Sequence, residues 1–158
     1  MIGYVCKYTP VEVFEAMGVE IRRIQPEVTN FNQADTLMHP NICSFTKSVL
    51  EDVLAGDYEG VVLTTCCDSI RRLYDVLIQQ CPDKFLYLLD VPRKVNDFST
   101  DMYRENILDM VHAYEAFSGK TFDEIALKQL LERREAGQNL RTAPKNKASV
   151  HIGLMGAR

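Results

Sequence analysis

The length, composition and charge of the chain exclude several classes of protein. With 158 residues, 46% of them hydrophobic, it can bury a core and has the usual size of one domain. The net charge of −4 arises from acidic and basic residues that are mixed along the sequence, without the basic stripe that nucleic acids attract. The sequence has no apolar run of about 18 residues, and its first ten residues lack the basic and apolar regions of a signal peptide. We therefore expect a cytoplasmic protein without nucleic-acid or membrane partners.

Short apolar runs alternate with amphipathic segments from the start of the chain. Residues 2–6 predict a strand, and residues 9–18 predict a helix with Thr9 at its N-cap. Residues 19–24 alternate between apolar and polar side chains, which is typical of a strand. A polar connector at 30–40 then leads to a helix predicted to run from Cys43 to Ala55.

The second half of the chain continues the alternation. Its predicted elements are a fully buried strand at 60–65, an amphipathic helix at 68–80, a strand at 84–91, and helices at 100–117 and 121–137, the last capped by Thr121 and Glu124. Strands that alternate with helices are typical of βαβ units. We therefore predict a doubly wound α/β fold of Rossmann or flavodoxin type, with a mostly parallel sheet and a C-terminal helical segment.

The composition changes near the end of the chain. We assign residues 1–140 to one α/β domain and residues 141–149, which are polar, basic and contain a proline, to a linker. Residues 150–158, "VHIGLMGAR", resemble a strand that runs into a glycine turn. We expect them to begin a second, truncated α/β domain, and the chain to be the first part of a longer protein.

The five cysteines are the candidate functional residues. An odd number of thiols in a reducing compartment favours metal ligation, catalysis or packing over disulfides. Cys6 ends the first predicted strand and Cys66 and Cys67 follow the third, so they should meet at the carboxyl edge of the sheet. Cys43 joins them if the polar connector returns it there. Since Cys43 and Cys67 precede predicted helices, the helix dipoles would favour thiolates that suit a soft metal.

Packing is the alternative for each cysteine. A free cysteine is most often a small buried apolar residue, and Cys81, which ends a predicted helix before a proline, fits that description best. The C-x-x-C spacing typical of many metal sites does not occur. Spacing alone therefore leaves open whether the thiols bind a metal.

Three segments, "IGYVCKYTPVEVFEAMG", "HPNICSFTKSVL" and "GVVLTTCCDSIRRLYDVL", occur in this order. They resemble the 2-hydroxyacyl-CoA dehydratase family, which includes the 2-hydroxyglutaryl-CoA dehydratase D-component, benzoyl-CoA reductase subunits and double-cubane-cluster reductases. The most specific segment is Thr-Cys-Asp followed by basic residues and an aromatic residue, here residues 65–74 with Cys66 as an extra cysteine. The resemblance extends over the whole chain.

The resemblance implies an iron–sulfur subunit of anaerobic metabolism. Cys43 and Cys67 match two of the three cysteines that hold a cluster, commonly [4Fe-4S], in each family subunit, and the third ligand is expected downstream of this chain. Because consecutive residues leaving a strand point in opposite directions, we expect Cys43 and Cys67 to face one crevice, and Cys66 and Cys81 to point away. No catalytic side chain is assigned.

The activity implied by the resemblance is radical dehydration of a 2-hydroxyacyl-CoA. The electron would come from an ATP-hydrolysing iron–sulfur activator, and a homologous second subunit or a second copy would be the other partner. The present chain alone should be inactive, and possession of a cluster, [4Fe-4S] or double-cubane, is expected of the longer protein. Two alternatives stay open: a related double-cubane or benzoyl-CoA-type reductase, and a non-catalytic α/β binding module.

Overall fold

A parallel sheet forms the centre of the computed structural model, which describes residues 1–28 and 30–139. Its four strands stand in the order β2-β1-β3-β4 and all neighbours are parallel. The strands are β1 (Ile2–Tyr4), β2 (Ile21–Arg23), β3 (Gly60–Thr64) and β4 (Phe85–Leu89), and the helices are α1 (Val11–Ala16), α2 (Asn32–Leu37), α3 (Ser44–Ala55), α4 (Asp68–Gln80), α5 (Asp97–Ser118) and α6 (Glu124–Asn139). This architecture confirms the predicted doubly wound α/β fold.

Strand β3 separates two hydrophobic cores. All of its residues are buried, because helices cover both faces of this central strand. Val61 and Leu63 pack with residues of α3 and α4 on one face, while Val62 packs with residues of α1 and α5 on the other. The alternation follows from the period of two along a strand, and a continuous β-branched and aliphatic run fills both cores.

The predicted polar connector contains a short helix that we did not anticipate. Helix α2 occupies Asn32–Leu37 within it. Its first turn carries Ala34, which is fully buried against α3. A segment of six residues is too short to show a helical period in its sequence, so its helical state depends on contacts with the rest of the fold.

Several helix ends differ from their predicted positions. Pro10 rather than Thr9 is the N-cap of α1. Helix α5 begins at Asp97, because Asn96 and Ser99 form a capping box there. The carboxylate of Asp123 accepts a 2.8 Å hydrogen bond from the backbone N–H of Ile125, so the capping box expected at Thr121 is wrong. Cap residues decide these boundaries, and periodicity alone does not locate them.

The end of the sequence lies outside the described residues. This applies to the predicted linker at 141–149 and to the predicted start of a second domain at 150–158. Within the part of the chain that the structure describes, no helix is both long enough and apolar enough to cross a membrane.

Candidate functional site

A cavity of about 730 Å³ opens at the carboxyl edge of the sheet, beside the ends of β1 and β3. The strand order reverses between these two strands, which is where open α/β sheets bind ligands. Four of the five cysteines line the cavity, namely Cys6, Cys43, Cys66 and Cys67. The fifth, Cys81, is buried in the core between the sheet and helices α3 and α4, as expected of a packing residue.

Cys43 and Cys67 occupy equivalent positions on two neighbouring helices. Cys43 is the N-cap of α3 and Cys67 is the N-cap of α4, each with extended backbone geometry. Both side chains are exposed and line the same cavity. The unpaired N–H groups of a helix N-terminus favour negative charge nearby. The fold therefore places two thiols at helix N-termini that line one cavity.

Side chains of helix α3 hold the polar connector at 30–40 in place, and this connector leads to Cys43 at the carboxyl edge of the sheet. The buried carboxylate of Glu51 accepts hydrogen bonds from the backbone N–H groups of Gln33, at 2.7 Å, and Ala34, at 2.8 Å, in the first turn of α2. Lys47 of α3 forms a 2.6 Å ion pair with Asp35 of α2. The two bonds to Glu51 satisfy backbone N–H groups that have no partner within α2. The short turn between α2 and α3 is consequently fixed, and Cys43 lies at its end.

Hydrogen bonds to Cys43 outweigh the effect of its burial. Burial alone would raise the pKa of the Cys43 thiol, but bonds from the side chain and backbone of Thr46, the side chain of Ser69 and the backbone of Phe45 lower it below the ordinary value. The Cys43 Sγ and Thr46 Oγ1 atoms are 3.1 Å apart. Because Ser69 lies in the first turn of α4, Cys43 is in direct contact with the helix that Cys67 caps.

Cys66 also lines the cavity, so the expectation that it points away is wrong. Strand β3 ends at Thr64, and Thr65 and Cys66 form a turn. Residues alternate between opposite faces only while the chain is a strand, so both vicinal thiols reach the same side. Burial raises the pKa of Cys66, and the thiols of Cys67 and Cys6 raise it further, so that it lies above the ordinary value.

Residues 6–148 match the family described as 2-hydroxyglutaryl-CoA dehydratase, D-component. The chain belongs to this family. A curated relative, the (R)-phenyllactyl-CoA dehydratase beta subunit of Clostridium sporogenes, is 27% identical over 139 residues, which is 83% of this chain and 36% of the relative. The chain thus spans about a third of that relative's length. These matches confirm the resemblance read from the cysteine-containing segments.

Membership of a dehydratase family generally suggests an iron–sulfur cluster, and the thiols of this chain can be compared with that requirement. Cysteine sulfurs are the usual protein ligands of such clusters, and Cys43 and Cys67 present their sulfurs at helix N-caps that line one cavity. Within residues 1–28 and 30–139, however, no group of three or more His, Cys, Asp or Glu side chains is arranged to hold a metal ion. The donors present fit part of a ligand set, and ligation by Cys43 and Cys67 stays a prediction.

The remaining wall of the cavity carries positive charge and apolar surface. Lys7, after β1, and Arg23, at the end of β2, both line it, and Glu27 is the one acidic residue among the described residues of the lining. The Lys7 Nζ atom lies 5.0 Å from the centre of the Tyr8 ring, within the range of a cation–π contact. No sequence motif marks these cations, since only the fold brings residues 7, 23 and 43 together.

Several charged residues and histidines lie in solvent, outside the cavity. Asp68, Arg71 and Arg72 are exposed on α4, and Arg72 pairs with Asp75 on the same helix. His39 and His112 are also exposed, and none of these residues lines the cavity. Thr46 and Ser69, which contact Cys43, were missed. A hydroxyl three residues after an N-cap cysteine is the signal that could have identified Thr46.

Proposed function

We propose that this chain is the N-terminal, cluster-binding part of a 2-hydroxyacyl-CoA dehydratase-type iron–sulfur subunit, with Cys43 and Cys67 as two of the cluster ligands. One observation carries the proposal: both cysteines are N-caps of adjacent helices and line one cavity at the point where the strand order reverses. A third thiolate would come from outside this sequence. The cytoplasm suits such a protein, because its thiols stay reduced there.

Each part of the cavity has a defined task in this proposal. The N-termini of α3 and α4 present the two thiols to the cavity, and hydrogen bonds from Thr46 and Ser69, which outweigh burial, lower the pKa of Cys43. Lys7 and Arg23 attract an anionic acyl-CoA to the cavity, while apolar side chains such as Phe45 and Ile70 exclude water around the acyl group. The cluster, when bound, supplies one-electron redox chemistry for removal of water from the 2-hydroxyacyl group.

Dehydration is favoured over the related reductase activity because both comparisons name dehydratases. The curated relative is a beta subunit, which supports assembly with a second subunit. The electron donor in this proposal is an ATP-hydrolysing iron–sulfur activator. A non-catalytic binding module would have no use for two exposed thiols on converging helix N-termini.

Reconstitution of the longer gene product with ferrous iron and sulfide under anaerobic conditions tests the ligand assignment. We expect Cys43→Ser and Cys67→Ser to lower bound iron and sulfide and to bleach the visible absorption of the cluster. Cys81→Ser, at the buried cysteine outside the cavity, is the matched control and should retain the cluster. Retention by Cys67→Ser together with loss in Cys66→Ser would contradict the assignment.

A second experiment tests the activity. The 158-residue chain, supplied with activator, ATP and a 2-hydroxyacyl-CoA, should show no dehydration, whereas the longer gene product with its partner subunit should form the unsaturated thioester. Turnover by the isolated chain would disprove its dependence on further residues. Absence of iron and sulfide from the longer protein would favour the non-catalytic module.

A further inference from the structure

The loop that carries Cys66 and Cys67 is fastened to the neighbouring strand by its first residue, Thr65. The buried Thr65 donates its backbone N–H to the carbonyl oxygen of Leu89 at 3.0 Å, which extends the pairing of β3 with β4 by one residue. Its hydroxyl donates to the carboxylate of Asp90 and accepts from the backbone N–H of Val91 at 3.2 Å. One threonine side chain therefore bridges two residues of the segment that follows β4.

Asp90, which accepts the hydrogen bond from the Thr65 hydroxyl, is itself held by helix α5. The Asn106 side chain donates to the carbonyl oxygen of Asp90 at 3.1 Å. Helix α5 also reaches the other loop of the cavity, since the hydroxyl of Tyr103 donates to the carbonyl oxygen of Tyr8 at 2.7 Å. The hydrogen bonds at Thr65 thus belong to a chain of contacts that runs from α5 to the carboxyl edge of the sheet.

Only two residues separate this anchor from the start of α4. Helix α4 begins at Asp68 and is held against the sheet by buried Ile70 and Leu73. Cys66 and Cys67 are therefore the only residues between two fixed points. A shift of Thr65 would have to be absorbed by the backbone dihedrals of these two cysteines, because a trans peptide leaves two soft dihedrals per residue.

We propose that Thr65 and Asp90 are positioning residues that fix the direction in which the Cys67 thiol enters the cavity. In relation to cluster binding this rests on the proposed function, in which Cys67 is a ligand. The Thr65–Asp90 contact itself involves no ligand and acts in the chain before any cluster is bound. Its effect on Cys67 can consequently be measured without iron.

The measurement is the rate at which iodoacetamide alkylates Cys67 in the native chain, followed by peptide mass spectrometry in a Cys66→Ser background. Thr65→Val removes the hydroxyl and keeps the shape, and we expect alkylation of Cys67 to become about fivefold faster, the factor that corresponds to loss of one net hydrogen bond. Asp90→Ala should have a similar effect, and the double variant should add little, because both changes break the same contact.

Two variants separate positioning from a general loss of stability. Thr65→Ser restores the hydroxyl and should return the alkylation rate to that of the parent. Thr36→Val makes the same chemical change at the exposed Thr36, whose hydroxyl bonds within α2, and should leave the Cys67 rate unchanged. A Cys67 rate in Thr65→Val equal to that of the parent, or a rate in Thr65→Ser as high as in Thr65→Val, would overturn the proposal.

The same variants in the longer gene product connect this result to cluster binding. We expect Thr65→Val to change the visible spectrum of the reconstituted cluster and to hasten its loss to an iron chelator, while Thr65→Ser behaves as the parent. If the parent binds no iron but Thr65→Val still alters Cys67 alkylation, the ligand assignment fails and the positioning role stands. If iron binds and the Cys67 rate does not respond to Thr65→Val, the positioning role fails alone.

Discussion

The two edges of the sheet differ in how they use polar groups. At the amino edge, before β3 and β4, polar groups bond to one another: the Tyr58 hydroxyl donates to Asp52 at 2.7 Å, and the Lys84 ammonium donates to the Tyr58 carbonyl oxygen at 2.6 Å. Glu59 accepts from the hydroxyl of buried Tyr114 at 3.3 Å. At the carboxyl edge, four thiols face an open cavity of about 730 Å³.

Stability and ligand binding are thus located at opposite edges of the sheet. Closed polar networks and close packing at the amino edge hold the strands together, whereas the carboxyl edge keeps reactive groups available. Changes at the amino edge should therefore lower the free energy of unfolding without altering thiol chemistry. Changes at the carboxyl edge should alter thiol chemistry.

Gly60→Ala gives the largest expected loss of stability and tests the amino edge. A Cβ at Gly60 would overlap the carbonyl oxygen of Phe85 and lie 2.6 Å from the Phe85 Cβ, inside paired strands that cannot separate. We expect the free energy of unfolding to fall by about 3 kcal/mol in urea titrations. Gly137→Ala is the matched control, because nothing lies within 4 Å of its new Cβ and alanine favours helix α6 by about 1 kcal/mol. An equal change in both variants would refute the close-packed amino edge.

Glu51→Ala tests how the carboxyl edge is built. The substitution removes the acceptor of two backbone N–H groups of α2. We expect the free energy of unfolding to fall by about 2 kcal/mol and the alkylation of Cys43 to become faster. Glu51→Gln keeps an acceptor oxygen, and its free energy of unfolding should fall by about half as much. Glu132→Ala, at an exposed residue of α6, serves as the control. A Cys43 rate that is the same in Glu51→Ala as in the parent would show that the connector does not position this thiol.

The importance of Glu51 explains which parts of the structure could be predicted from the sequence. The strands and long helices were predictable because β-branched runs and apolar periods are local signals. Helix α2 was not, since its first N–H groups bond to Glu51, whose position is 17 and 18 residues away. No local pattern in Asn32–Leu37 encodes a partner so distant.

The candidate site was predictable in part for the same reason. The segments around Cys43 and Cys67 resemble a family and identify both residues, and the βαβ pattern places the ends of β1 and β3 at one edge. The orientation of Cys66 depends on where β3 ends, and strand ends are among the least certain features of a sequence. Lys7 and Arg23 carry no motif, and only the parallel pairing of β1 with β2 brings them to the cavity.

Tyr58→Phe tests the amino-edge network at a single hydrogen bond. Burial, the hydrogen bond to Asp52 and the charge of Asp52 raise the pKa of Tyr58 to about 12. The neutral phenol is thus favoured by the fold, so its contribution is complete below the ordinary pKa of about 10 and is lost as the pH rises from there towards about 12. We expect Tyr58→Phe to lower the free energy of unfolding by about 1 kcal/mol at neutral pH and by less at alkaline pH.

The control for this prediction is Tyr8→Phe, at an exposed tyrosine on the carboxyl edge. Urea titrations of the parent and both variants at neutral and alkaline pH measure the two effects. Tyr8→Phe should have the same free energy of unfolding as the parent at neutral pH. A constant difference between Tyr58→Phe and the parent across that range would contradict coupling between the phenol and Asp52.

The smallest expected effect is a shift along the pH axis that distinguishes two thiols of the same cavity. Burial opposes ionisation of Cys43, but hydrogen bonds from Thr46, Ser69 and Phe45 hold the pKa of Cys43 below its ordinary value, whereas burial and the neighbouring thiols hold that of Cys66 above it. Since the thiolate is the nucleophile, alkylation of Cys43 should reach its maximum at lower pH than alkylation of Cys66. Thr46→Val removes one hydrogen bond to the Cys43 sulfur and should move the Cys43 profile to higher pH while the Cys66 profile stays in place. Coincident profiles for the two thiols in the parent chain would mean that the carboxyl edge does not favour the thiolate at the N-cap of α3.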